Sequence, residues 1–268
     1  MLRLLVLTSF TALVLAELEP QPRYLEDITE RVVGGTVARP NSWPWQVSLQ
    51  YQSGSRYIHH CGGTLIKEGW VMTAAHCVDR SRTWRVVLGE HDLYNDSYNE
   101  QLITVSDVFI HNGWDSNRPS NGFDIALLRL SSPATLDYYV QLGSLPHTGQ
   151  ILPHNNICYI TGWGYTSTGG SLSAQLMEAY LPLVDYKICS RHDWWGSFVK
   201  TTMVCGGGGY DGGCNGDSGG PLNCLVNGKY YVHGITSFVS DKGCNAYKQP
   251  TIFTRVSAYI DWINSYIM

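Results

Sequence analysis

Apolar residues in this chain fall in short runs, not in long helical stripes. Runs rich in Val, Ile, Thr, Tyr and Trp occupy 46–51, 64–67, 70–73, 84–88, 102–110, 125–130, 157–161, 175–184 and 230–237. Clusters of Gly, Pro, Asn and Ser separate them. Branched and aromatic side chains suit a pleated surface, and turn residues punctuate strands, so the pattern predicts antiparallel β structure, a sandwich or a barrel. One helix is expected, at the end, where Val256, Tyr259, Ile260, Ile263 and Ile267 recur at helical spacing. A polar, turn-rich stretch around 131–154 is expected to separate two lobes.

The first residues break this pattern. Residues 1–16 read MLRLLVLTSFTALVLA, with Arg3 as the positive start, an apolar run and a small residue at the end. That is the layout of a signal peptide, and the run is too short to span a bilayer. No other segment is long and apolar enough to anchor the chain, so the protein is expected to be secreted and extracellular. Residues 17–31, ELEPQPRYLEDITER, are polar, acidic and proline-bearing, and are expected to form no core element. They end in Arg31 ahead of Val32-Val33-Gly34-Gly35, a basic residue closing a flexible tract and so a site for proteolysis. The expected organisation is a signal peptide over 1–16, a propeptide over 17–31 and a folded domain over 32–268.

Composition narrows the function. Formal net charge is −4 and Lys and Arg form no run, which argues against a nucleic-acid or anionic-membrane partner. The eight cysteines, Cys61, Cys77, Cys158, Cys189, Cys205, Cys214, Cys224 and Cys244, are even in number. In an oxidising compartment they imply four disulfides, with about 105 pairings open on spacing alone. No CxxC pair suggests a zinc site.

Three segments carry chemistry. Tyr210–Pro221 reads YDGGCNGDSGGP and sets Ser218 in a glycine-rich turn, where backbone could approach a substrate and aim N–H groups at an oxyanion. A serine is inert without a base, and a base needs an orienter. His76 ends the run Val71-Met72-Thr73-Ala74-Ala75, and Asp124 opens the apolar run Ile125-Ala126-Leu127-Leu128. A carboxylate at a buried strand start needs donors, and a histidine N–H is one. Taken singly, the three also read as a surface turn, a structural histidine and a capping aspartate.

Together TAAHC, DIALLRL and GDSGGP, in the order His, Asp, Ser, resemble the chymotrypsin-like (trypsin-fold) serine peptidases. The likeness extends through RVVGG, CYITGWG at 158–164 and FTRVSAYI at 253–260. It implies an all-β fold of two six-stranded antiparallel barrels with a C-terminal helix, and a site between the barrels. It implies Ser218 as nucleophile, His76 as general base and Asp124 as its orienter, with the N–H groups of Gly216 and Ser218 as oxyanion hole. It implies the disulfides Cys61–Cys77, Cys158–Cys224, Cys189–Cys205 and Cys214–Cys244. It also implies that cutting after Arg31 frees the Val32 amine to pair with Asp217. The chain as written is then a precursor, and an activating trypsin-like peptidase is a partner. Protein and peptide substrates and protein inhibitors are the other partners implied, for a monomer.

Specificity follows from the same likeness. Trypsin-like members carry an aspartate six residues before the serine, where this chain has Gly212. Asp211 lies one residue further away and keeps a trypsin-like alternative open. The pocket walls are expected near Ser237, Val239 and Thr251, with branched side chains where large-pocket relatives carry glycine. This pattern resembles the pancreatic elastases of the first type and implies a small uncharged P1 residue such as Ala or Val. A chymotrypsin-like pocket and a non-catalytic peptidase homologue are the remaining alternatives. The stretch 90–100 resembles the family's calcium loop, with Glu90 and Glu100 offering carboxylates and Asp92 and Asn95 backbone oxygens to one structural Ca2+. Ser97 stands where relatives with a fifth protein ligand have an acidic residue.

Overall fold

The computed structural model describes residues 35–164, 171–208, 218–240 and 246–267. The chain enters with a short strand, β1 (Thr36–Val37), and then builds a closed six-stranded barrel. Its strands are β2 (Gln46–Ser53), β3 (Arg56–Lys67), β4 (Trp70–Thr73), β5 (Trp84–Leu88), β6 (Gln101–Ile110) and β7 (Ala126–Leu130). They close in the order β2-β3-β4-β7-β6-β5. A one-turn helix, α1 (Ala75–Val78), follows β4.

The second lobe holds β8 (Cys158–Gly162), β9 (Met177–Tyr180), β10 (Leu183–Val184), β11 (Met203–Gly206), β12 (Pro221–Val226), β13 (Lys229–Phe238) and β14 (Thr251–Arg255). A short helix, α2 (Tyr186–Cys189), precedes β11, and Asp185 caps it by accepting from the Lys187 N–H. With β1 these strands form one eight-stranded sheet, ordered β1-β9-β8-β12-β13-β14-β11-β10. The strand count differs from six for two reasons. β1 adds an outer strand against β9. The run 175–184 is also split, because Pro182 has no N–H to offer a ladder. β9 and β10 are thus neighbours in the chain at opposite ends of the sheet order, so the sheet curls back on itself.

Both lobes bury their apolar faces. Trp45, Leu49, Leu65, Met72, Leu127 and Leu128 fill the first, and Cys158, Ile160, Leu222 and Phe253 the second. A polar network bridges them in the interior. Trp45 Nε1 donates to Asn223 Oδ1 at 2.8 Å, and the Thr161 hydroxyl donates to Gln46 Oε1 at 2.7 Å. Asn223 Nδ2 donates in turn to the Thr161 hydroxyl at 3.1 Å. Buried polar groups that satisfy one another fix a single docking register between lobes. The expected terminal helix is α3 (Ile260–Ile267), which buries Ile263. It lies on the first lobe: Tyr266 packs on Phe109 at 4.9 Å and Trp262 on His111 at 5.1 Å. The stretch 131–154 does join the lobes, without helix or strand.

Candidate active site

The site lies where the lobes meet. β4 leads directly into α1, whose second residue is His76. Asp124 sits just ahead of β7, after a turn in which Phe123 takes a φ of 63°. Tyr259, next to α3, holds that turn by accepting the Phe123 N–H at 3.2 Å. Asp124 is 1% exposed.

Such burial demands partners for the carboxylate, and it has three donors. His76 Nδ1 lies 2.8 Å from Oδ2, and the His76 backbone N–H donates to Oδ1 at 2.9 Å. The Ser237 hydroxyl, from the second lobe, donates to Oδ2 at 2.5 Å. The Thr254 hydroxyl donates to the Asp124 backbone carbonyl at 2.7 Å. With Nδ1 donating to Asp124, the imidazole keeps Nε2 free to take a proton. Burial pulls the His76 pKa down, but the Asp124 hydrogen bond and charge, aided by Asp79, outweigh it and hold it above the ordinary histidine value.

Ser218 lines the same cleft as His76. Its hydroxyl makes no hydrogen bond to Nε2 among the described residues, and Nε2 instead lies 3.7 Å from Cys77 Sγ. The turn that carries Ser218 is gripped from both lobes. The Ser218 carbonyl accepts from the Gly62 N–H of β3 at 2.8 Å, and the Gly219 N–H donates to Thr236 of β13 at 2.8 Å. Gly219 has a φ of +80°, and a Cβ there would meet Thr73 Oγ1 at 2.2 Å and the Gly62 carbonyl at 2.7 Å. No side chain fits between the lobes at this point, so the glycine after the serine is required by close approach as well as by backbone conformation.

The structure sets the other expected residues as follows. Cys61–Cys77, Cys158–Cys224 and Cys189–Cys205 are formed, and the first ties α1 to β3 beside His76. Cys214 and Cys244 lie outside the described residues, as do Arg31, Val32, Asp211, Gly212, Gly216 and Asp217. Ser237, expected in the pocket wall, gives its hydroxyl to Asp124. No spacing in the sequence signals that role, because it depends on β13 crossing the mouth of the first lobe. The register Phe238↔Ile252 between β13 and β14 brings Val239 and Thr251 opposite each other just past the last pair. Thr251 is buried and Val239 half-buried.

Residues 90–100 form the connection from β5 to β6. Burial first, and then the Glu100 charge, push the Glu90 pKa up to about 7. Two carboxylates thus converge where one resists ionising, the electrostatic condition a hard divalent cation relieves. The Asp92 carbonyl takes the Asn95 N–H in a turn, and Glu100 takes the N–H and hydroxyl of Ser97 at 2.7 Å each.

Known proteins agree with this arrangement. Residues 32–263 match the family model described as Trypsin. The chain is 60% identical to chymotrypsin-like elastase family member 1 of Bos taurus, over all of this chain and 99% of that protein. It is 61% identical to the protein of the same name from Canis lupus familiaris, over 90% of this chain and 95% of that one. The Homo sapiens counterpart is 59% identical, over 91% and 95%. A buried aspartate holding a histidine beside a clamped serine, on a barrel joined to a curled sheet, carries the same conclusion: the chain belongs to the trypsin family and is a serine endopeptidase of the elastase type.

Proposed function

We propose that this chain is the secreted precursor of an endopeptidase that cuts after small uncharged residues such as Ala and Val. Residues 1–16 direct export, and 17–31 are removed by a trypsin-like peptidase cutting after Arg31. The new Val32 amine then pairs with Asp217. A buried carboxylate requires a paired charge, and forming the pair orders the backbone that carries Gly216.

In the mature enzyme Ser218 Oγ attacks the scissile carbonyl carbon while its proton passes to His76 Nε2. The N–H groups of Gly216 and Ser218 donate hydrogen bonds to the oxyanion. The C–N bond then breaks, and His76 returns its proton to the leaving amine. Water repeats the sequence on the acyl ester, releasing the carboxylic acid and restoring Ser218. Asp124, fixed by Ser237, holds the tautomer throughout. The observation that carries this reading is the His76–Asp124 hydrogen bond at 2.8 Å in a cleft that Ser218 also lines.

Val239 and Thr251, side by side at the ends of β13 and β14, narrow the P1 slot, and Gly212 leaves its base uncharged. Glu90 and Glu100, with the backbone oxygens of Asp92 and Asn95, hold one Ca2+ that secures the connection from β5 to β6. Support for that ion comes from the raised Glu90 pKa.

The test is covalent labelling by a serine-directed organophosphate before and after trypsin treatment. The reading expects label on Ser218 only after cleavage behind Arg31, and none in Arg31→Gln or Ser218→Ala. Equal labelling of the uncut chain would overturn the zymogen assignment, and label retained in Ser218→Ala would overturn the nucleophile.

A further inference from the structure

The P1 slot lies against the second lobe, between β13 and β14, so the acyl half of a substrate rests there. The leaving-group half must then cross the other wall of the cleft, over His76 and the Cys61–Cys77 disulfide, because His76 delivers the proton to the departing amine. That wall belongs to the first lobe. A cleft of about 700 Å3 opens on it, continuous with Ser218 and His76 and lined further by His60, Asp79, Arg80 and Arg82. This lining holds two arginines, Arg80 and Arg82, against one acidic residue, Asp79. The chain as a whole carries a formal charge of −4, so the local sign opposes that of the molecule.

The cations are also presented. Arg82 rests on the face of the Tyr51 ring at 4.0 Å from its centroid, which holds its long side chain in one place. On β5, Arg85 lies over Tyr57 at 4.1 Å and donates to Gln50 at 2.9 Å, so a second arginine of this face is also held by an aromatic ring. His60, which lines the cleft, packs against the rings of Trp84 and Tyr51. A guanidinium matches a carboxylate in shape and, being weakly hydrated, loses little on partial enclosure.

Resting on the peptidase reading above, we infer that the Arg80–Arg82 wall is a leaving-group subsite that selects substrates with an aspartate or glutamate in the first three residues after the scissile bond. A lysine or arginine there meets like charge, so discrimination comes from repulsion as well as attraction.

The test uses the trypsin-activated enzyme and peptides with alanine at P1, amidated at the C-terminus so that only side chains carry charge. Glu, Gln or Lys is placed in turn at each of the three positions after the cut. The inference expects kcat/KM for the best Glu peptide to exceed that of its Lys partner by about fivefold or more at low salt, and the ratio to shrink as salt screens it. Arg80→Gln with Arg82→Gln should bring the ratio close to one. A ratio near one in the unmodified enzyme overturns the inference, as does a ratio unaffected by the double substitution. An alanyl p-nitroanilide, which has no residue after the cut, separates the two failures. If it too is not cleaved, the peptidase reading has failed; if it is cleaved while the ratio is one, only the subsite has.

Discussion

Asp124 shows how a single residue gathers contributions from distant parts of the chain. Its carboxylate is held by His76 from α1 and Ser237 from β13, its carbonyl by Thr254 from β14, and its turn by Tyr259 beside α3. In the proposed mechanism neutral His76 is the base, so activity should rise as pH climbs through its pKa. Because Asp124 lifts that pKa, the acid limb of kcat/KM should sit above the ordinary histidine value. Asp124→Asn removes the lifting charge and the preference for the right tautomer. We expect turnover to fall by about 10⁴-fold and the limb to move to lower pH, measured by peptide hydrolysis across the pH range. An unchanged limb would mean that the carboxylate does not govern the base. His76, Asp124 and Ser218 could be singled out in the sequence because each sits in a motif of its own. Ser237 and the steric demand at Gly219 were not, since both arise from one lobe approaching the other.

Strands were read best where the pleat alternates or the run is long and branched. β4 and β5 match the expected runs at both ends, and β2, β6 and β7 to within two residues. The first half of β3 escaped because its sequence, RYIHHCGG, looks polar; yet Tyr57 and His59 turn inward while their neighbours face solvent. β11, β12 and β14 escaped for the opposite reason. They are short and largely buried, without alternation, and β12 begins with proline and buries Asn223. The connection from β5 to β6 carries the element-scale prediction. If calcium relieves the convergence of Glu90 and Glu100, then millimolar Ca2+ should raise the melting temperature by about 5 °C over a chelated sample. Glu90→Gln with Glu100→Gln should abolish the difference. An unmodified protein that melts at the same temperature with and without Ca2+ would show that the loop needs no ion.

The whole molecule was legible as a two-lobed β fold with a terminal helix, but the eight-stranded order of the second lobe was not, because Pro182 breaks a strand that the pattern alone continues. Stability also belongs to this scale. His233 is 3% exposed, and burial, followed by the charge of Arg255, pushes its pKa down from 6.5 to about 4. The unfolded chain takes up a proton between those values that the native state refuses. Its contribution is therefore full above pH 6.5 and is lost as pH falls toward 4, by about 3 kcal/mol. Urea midpoints at pH 7 and pH 4.5 should differ less in His233→Gln than in the unmodified protein; an equal difference would place the acid sensitivity elsewhere. The central claim is an elastase-type endopeptidase, and the measurement that tests it most directly is kcat/KM of the trypsin-activated protein on matched peptides with Ala, Phe or Arg at P1. Ala should be cut best, and Val239→Gly with Thr251→Gly should shift the Ala-to-Phe ratio by about a hundredfold toward Phe. A preference for Phe in the unmodified enzyme, or for Arg through Asp211, would contradict it.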